Sequence, residues 1–309
     1  MTSRVAVIDL GTNTFNVLIA DVSGNKFTSV FSEEIPVKLG EGGINAGLIT
    51  DEAWARGISA IKYTHKKITL YNCSRVKAVA TSAIRSAANG AEFKLAIKAE
   101  SGIDIEVIDG NREAQLIFDG VRQGVSLNAM TLIMDIGGGS VEFIICDQDQ
   151  VYWKESYPVG AARLKEKFQH SDPICQEDIL AIEEHLERSL TSLFNQCTIH
   201  KPQCLIGSAG AFETFAELVS IRFNHPHNKN DSQFTFNLDE FYEIAETLLK
   251  SSHSNRENMP GLVAFRVDMI VSATILTRFI LQKTGLKALK LSAYALKEGM
   301  ITELMNKID

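Results

Sequence analysis

The segment Val7-Ile8-Asp9-Leu10-Gly11-Thr12-Asn13-Thr14 returns in the second half of the chain as Ile133-Met134-Asp135-Ile136-Gly137-Gly138-Gly139-Ser140. Each copy reads as an apolar strand that ends in Asp, an apolar residue and Gly, then bends through small or polar residues. A second apolar run follows each bend, Phe15 to Ala20 and Val141 to Cys146. The pattern predicts a β-hairpin with a glycine-rich bend, made twice. Such a bend offers backbone N–H groups and small hydroxyls, which suit phosphate oxygens. An Asp at the strand end can hold a divalent cation directly or through water. Two such hairpins facing each other across a cleft would form a phosphate clamp. One copy alone reads equally well as an ordinary hairpin turn.

With 309 residues the chain exceeds one typical core, which predicts two domains. A hydrophobic content of 45% supports folded cores, and no polar low-complexity tract interrupts it. The net charge of −7 excludes a general nucleic-acid binder, so a polyanionic ligand must be met by local basic residues. The five cysteines (Cys73, Cys146, Cys175, Cys197 and Cys204) form no CxxC pair. That usage predicts a reduced compartment, the cytoplasm. The first strand starts near Arg4 with no signal peptide before it, and no apolar run reaches the length of a membrane helix.

Strand patterns occupy 4–10, 15–22 and 26–32, followed by a glycine-containing loop, Leu39-Gly40-Glu41-Gly42-Gly43. Thr50 or Asp51 caps a helix running to about 70. A strand at 76–80, a helix at 91–101, a strand at 103–108 and a helix at 112–121 complete a first domain over residues 1–124. The second domain, 125–293, repeats the theme. It has strands at 130–136, 141–147 and 150–156, a turn at Gly160-Ala161-Ala162-Arg163, and a helix at 176–195. A strand at 203–207 enters a glycine-rich turn, Gly207-Ser208-Ala209-Gly210-Ala211, and a polar loop spans His225 to Gln233. Helices at 238–251 and 259–283 and a strand at 287–292 follow. A last helix over 294–309 is expected to pack on the first domain. A β-β-β-α-β-α unit made twice predicts an α/β fold of two actin-like (ribonuclease H-like) domains with a cleft between them.

The segments IDLGTNTF (8–15), LGEG (39–42), ATSAIR (80–85), NREAQLIFDGV (111–121), MDIGGGSVEF (134–143), VGAARL (159–164), GSAGAFET (207–214) and RVDMIVSATIL (266–276) carry a more specific signal. Together they resemble the exopolyphosphatase and guanosine pentaphosphate phosphohydrolase family, in the acetate and sugar kinase/Hsp70/actin superfamily. The resemblance implies metal-assisted hydrolysis of a terminal phosphoanhydride, with inorganic polyphosphate as substrate and guanosine pentaphosphate as the alternative. It places Glu113 as the carboxylate that activates water. Asp135 and Glu142 become ligands of an essential divalent cation, with Asp9 facing them. Arg85 grips the terminal phosphate, and Thr12, Asn13, Gly137, Gly138, Gly139 and Ser140 form the phosphate-cradling bends. The implied cofactor is Mg2+, with Mn2+ or a monovalent cation as alternatives, and the implied assembly is a homodimer. No nucleic acid and no membrane partner is expected.

Elementary chemistry agrees with these roles. Phosphoanhydride hydrolysis needs charge neutralisation, metal bridging and an oriented water. Arg85 offers a planar fork to phosphate oxygens. Two carboxylates, Glu113 and Glu142, can divide metal binding and proton removal between them. With no Cys or His at the matched positions, direct attack by water is expected over a covalent intermediate.

Each position also has a plainer reading. Glu113 at a helix start complements the helix dipole, Glu142 on a strand can be a solvated side chain, and Arg85 can pair with a surface carboxylate. Arg163 and Arg266 read equally as phosphate contacts or structural ion pairs. His225-Pro226-His227 reads as a polar loop rather than a metal site, and Cys197 and Cys204 as thiols rather than ligands. Asn16 stands where relatives carry a basic residue or His, and 207–211 is less rich in Gly and Thr than in relatives, which leaves nucleotide binding open. Asn111-Arg112 replaces an acidic run, and an additional C-terminal helical domain of longer relatives is not expected here. A non-catalytic sensor of polyphosphate or an alarmone is the alternative from another class.

Overall fold

The computed structural model describes residues 3–225, 228 and 231–306. The chain divides into two units, Met1–Gly120 with Leu296–Asp309, and Val121–Ala295.

Unit 1 begins with β1 (Ser3–Leu10), β2 (Thr14–Ser23) and β3 (Lys26–Pro36). It continues through α1 (Asp51–Leu70), β4 (Arg75–Ala80), α2 (Ser82–Ser86), α3 (Gly90–Ser101), β5 (Ile105–Val107) and α4 (Gly110–Gly124). The sheet runs β3-β2-β1-β4-β5; β1 pairs antiparallel with β2 and parallel with β4. Val5, Ala6, Val7 and Ile8 of β1 are all buried, because a central strand covered on both faces reads as a continuous apolar run. Thr50 caps α1 by accepting from the Ala53 amide. The apolar stripe of α1 meets Phe93 of α3, with Trp54 edge-on to that ring at 4.9 Å. A side chain at Gly57 would strike the Phe93 ring at 2.5 Å, so glycine sets this close approach.

Unit 2 contains β6 (Thr131–Ile136), β7 (Val141–Cys146), β8 (Val151–Tyr157), α5 (Ala161–Phe168), α6 (Gln176–Ser189) and α7 (Thr191–His200). Then come β9 (Cys204–Ser208), α8 (Gly210–Phe223), β10 (Gln233–Phe236), α9 (Leu238–Lys250), α10 (His253–Glu257), α11 (Ile270–Thr284) and β11 (Leu289–Ser292). Its sheet runs β8-β7-β6-β9-β11-β10. The first five strands repeat the order and directions of unit 1, and β10 adds an antiparallel edge. A chain of edge-on rings, Phe212–Phe215–Phe241–Phe236, fills the core beneath α8 and α9. The final helix, α12 (Leu296–Met305), belongs to unit 1 and packs on β1 and β2. Both units therefore follow the ribonuclease H-like, actin-like plan.

Four local expectations are corrected. Residues 161–168 form a helix rather than a turn. The segment 176–195 is broken at Leu190, where φ −104 and ψ 18 leave helical space and the Thr191 hydroxyl bonds back to the Glu187 and Arg188 carbonyls. The continuous helix over 259–283 is replaced by turns and a short 3-10 helix, Ala264–Arg266, until α11 starts at Ile270, and Gly261 after Pro260 takes φ +92, outside helical space. The polar stretch ending at Gln233 leads straight into β10, which was too short to read. Of His225-Pro226-His227, Pro226 and His227 lie outside the described residues, and His225 bonds Glu240 at 2.7 Å. Among the described residues no helix is long and apolar enough to cross a membrane.

Candidate active site

In open α/β sheets, ligands bind beyond the carboxyl ends of the parallel strands. In unit 1 the ends of β1, β4 and β5 carry the bend at 11–14, Arg85 and Glu113 respectively. In unit 2 the ends of β6 and β9 carry the bend at 137–140 and Ser208.

The two bends share one geometry. The Gly11 amide donates to the Thr14 carbonyl at 3.1 Å, and the Gly137 amide to the Ser140 carbonyl at 3.0 Å. A Cβ at Gly11 would sit 2.8 Å from the Thr14 oxygen, and one at Gly137 would sit 2.9 Å from the Ser140 oxygen. That steric limit explains the glycine in both copies. A strap braces each bend from its carbonyl side. In unit 1, Val37 and Lys38 amides bond the Asn13 carbonyl and the Gly40 amide bonds the Thr12 carbonyl. In unit 2, the Ala161 and Ala162 amides bond the Gly137 and Gly138 carbonyls, and Arg163 Nε donates to the Gly139 carbonyl at 2.8 Å. The LGEG and VGAARL segments are thus equivalent braces. The amides of Gly138 and Gly139 donate to no acceptor among the described residues, which suits them to an anion.

Strand register gathers the carboxylates. Asp135 pairs with Glu142 across β6 and β7, Glu142 with Ser156 on β8, and Asp135 with Ser208 on β9. Directly paired side chains share a face, so the four form one polar row. Ser208 Oγ donates to Asp135 Oδ2 at 2.5 Å, and Ser156 Oγ donates to Glu142 Oε1 at 2.6 Å. Glu142 is 1% exposed and Asp135 is 8% exposed, so the solvated-strand reading of Glu142 fails. In unit 1 the equivalent row is Asp9, Asn16 and Glu34, with Asn16 Nδ2 donating to Asp9 Oδ2 at 3.0 Å. Asn16 occupies the counterpart of the Glu142 position.

Two buried carboxylates directly opposite one another repel, and a bound cation offsets that repulsion. Among the described residues no group of three or more His, Cys, Asp or Glu is placed to hold a metal. Mg2+ is commonly held by one or two carboxylates, with water and phosphate oxygens completing the shell. Asp135 and Glu142 fit a cation of that kind, and they do not form an all-protein cage.

Arg85 and Glu113 are brought together within unit 1. Arg85 Nη1 donates to Glu113 Oε2 at 2.9 Å and to the Ile108 carbonyl at 2.9 Å. Glu113 is buried at 7% exposure in the first turns of α4, which Asp109 caps through the Arg112 amide. The carboxylate partner of Arg85 is therefore a buried one and not a surface one. One Nη serves both partners, and the guanidinium keeps further N–H groups for an anion.

Arg266 bonds Glu213 Oε2 at 2.8 Å and Thr214 Oγ1 at 3.1 Å. Its guanidinium lies against the 207–211 turn, where a Cβ at Gly210 would come within 2.6 Å of it. It also lines a cavity of about 470 Å3 in unit 2 with Glu213, Thr214, Glu217, Asp231 and Leu291. Ala209 in that turn has φ 66 and ψ 177, a conformation nearly confined to glycine. Burial pushes the Cys146 thiol up to about 12 and Cys197 up to about 11, which suits neither to ligand chemistry.

Sequence reasoning passed over Ser156 and Ser208 as partners of the carboxylates. Counting register outward from Glu142 and Asp135 would have found Ser156, whereas Ser208 needs the β6–β9 pairing.

Residues 18–308 match the Ppx/GppA phosphatase family. The chain belongs to that family. It is 35% identical to the crystal structure of an exopolyphosphatase from Cytophaga hutchinsonii, with a TM-score of 0.96 over 99% of both chains. An Aquifex aeolicus Ppx/GppA member superimposes with a TM-score of 0.81 at 25% identity, over 100% of this chain and 99% of that one. Exopolyphosphatase 2 of Mycobacterium tuberculosis is 28% identical over 98% of both chains. The Ppx/GppA resemblance carried by the sequence motifs is thus borne out over nearly the full length.

Proposed function

We propose that this Ppx/GppA chain is an exopolyphosphatase, releasing terminal orthophosphate from inorganic polyphosphate by attack of water. The observation that carries the reading is the pair of equivalent glycine bends, each at the end of a strand bearing an Asp (half-buried Asp9, buried Asp135), with an Arg–Glu pair close by in the fold of unit 1. The names of the relatives point to the same substrate.

In this reading the Thr12–Asn13 bend and the Arg85 fork of unit 1 meet phosphate oxygens, and the Gly138 and Gly139 amides with Ser140 form the phosphate-binding bend of unit 2. A divalent cation, taken as Mg2+ and held by Asp135 and Glu142, would supply charge neutralisation when bound. Ser208 and Ser156 fix the orientation of those carboxylates. Glu113 orients the attacking water and takes its proton. The Arg85 contact keeps the Glu113 carboxylate aimed while the rest of the fork meets phosphate oxygens.

The test offers polyphosphates of several lengths and guanosine pentaphosphate side by side, with Mg2+. Polyphosphate should release phosphate, and Glu113→Gln should lower turnover by about 10^2- to 10^4-fold in a variant that remains folded. Near-normal turnover in that variant would sink the assignment. A second reading, hydrolysis of guanosine pentaphosphate, is favoured by the unit 2 cavity beside the 207–211 turn. Its volume lies in the small-molecule range of about 300–1,000 Å3. Release mainly from the pentaphosphate would select it, and binding without release would select a sensor.

A further inference from the structure

We infer that Arg56 on α1 is a positioning residue for the first phosphate bend, acting through the strap at 37–41. The inference rests on the phosphate-bend reading above. Arg56 touches no bend atom. Its Nε donates to the Val37 carbonyl at 2.7 Å, and one Nη donates to the Lys38 carbonyl at 2.9 Å and to Glu41 Oε2 at 2.9 Å. The same two strap residues turn their amides the other way, onto the Asn13 carbonyl at 3.0 Å and 2.8 Å. One step further along, the Gly40 amide bonds the Thr12 carbonyl at 3.0 Å, and a Cβ at Gly40 would come within 2.6 Å of Thr12.

The Val37–Lys38 peptide unit is thus held on both sides, by the Arg56 guanidinium at its oxygen and by the Asn13 carbonyl at its nitrogen. Hydrogen bonds from a charged donor are stronger than neutral ones and polarise the amide beyond them. The strap also needs restraint. Lys38 sits at φ 48, left-handed space that a lysine rarely enters. Without Arg56, that residue relaxes toward the extended region and carries its amide off Asn13. Unit 2 supplies an independent parallel. There the strap is the first turn of α5, and Arg163 reaches the Gly139 carbonyl directly. Both bends are therefore fixed by an arginine on their carbonyl side, directly in one unit and through a strap in the other.

The test follows amide hydrogen exchange in residues 10–16 together with phosphate release from tripolyphosphate and longer polyphosphate. In Arg56→Ala, exchange in 10–16 should rise about tenfold or more, with residues 136–141, residues 3–9 of β1 and strand β4 unchanged. KM should rise by a similar factor, with a smaller change in kcat. Arg56→Lys, which keeps one donor near the strap, should fall between. Arg222→Ala, at an exposed ion pair with Glu243 on the surface of unit 2, should change neither readout. Unchanged exchange at 10–16, or a uniform rise through β1 and β4, would overturn the inference, as would faster exchange with an unchanged KM. If the native chain releases no phosphate at all, the substrate reading fails, and exchange at 10–16 still decides whether Arg56 holds the bend.

Discussion

Ala209→Gly should make unit 2 more stable, and the geometry sets by how much. Ala209 links β9, whose last residue donates to Asp135, to α8, whose first residue meets Arg266. Its φ 66 and ψ 177 place a Cβ where only glycine is comfortable. Such a residue costs of order 1–3 kcal/mol. Replacing it by glycine removes that strain and raises the entropy of the unfolded chain, which costs about 0.4–1 kcal/mol. Ala209 is half-buried, so its methyl adds only a small loss of packing. The balance is a gain of about 1 kcal/mol, which for a unit of this size is a rise of roughly 2–4 °C in Tm. Urea unfolding followed by a probe in unit 2 should show a higher midpoint with the slope unchanged. An unchanged or lower midpoint would refute the strain argument.

Gly299→Ala should loosen α12 from α4, because a Cβ there would lie 1.8 Å from the Leu116 carbonyl oxygen. Glu303 of the same helix bonds both Lys77 and Arg112, the neighbour of Glu113. Phosphate release should therefore fall along with stability, and full activity in a folded variant would contradict the coupling. Acid should weaken unit 2 through Asp172. The His253 amide, with the buried Arg256 guanidinium, holds that carboxyl below the usual range despite partial desolvation. A depressed folded-state pKa contributes stability that is present above the unfolded value of about 3.9 and is lost as pH falls through the lower folded value. The urea midpoint of Asp172→Asn should be lower at neutral pH and should fall less below about pH 4; a parallel decline would exclude Asp172 as the cause.

The doubled Asp-x-Gly hairpin was legible because its causes are local. A glycine is required where a Cβ would meet the carbonyl across the bend, and that constraint repeats wherever the bend repeats. The central strands were legible because burial on both faces leaves an uninterrupted apolar run. The missed elements lacked local marks. The helix at α5 begins with Gly160-Ala161-Ala162, which reads as a turn until its first amides find the Gly137 and Gly138 carbonyls. The break at Leu190 carries neither Pro nor Gly, and β10 is four residues long.

Local spacing alone determined two α/β repeats, the paired phosphate-type bends and an Asp at the end of each first strand. Those features depend on residues within a few positions of one another, so periodicity and turn chemistry reveal them. Only the tertiary structure decided that Glu142 is buried beside Asp135, that Ser156 and Ser208 hold the two carboxylates, and that Arg85 meets Glu113. Strand register and the convergence of strand ends set those contacts, and both arise from pairing between segments far apart in the chain.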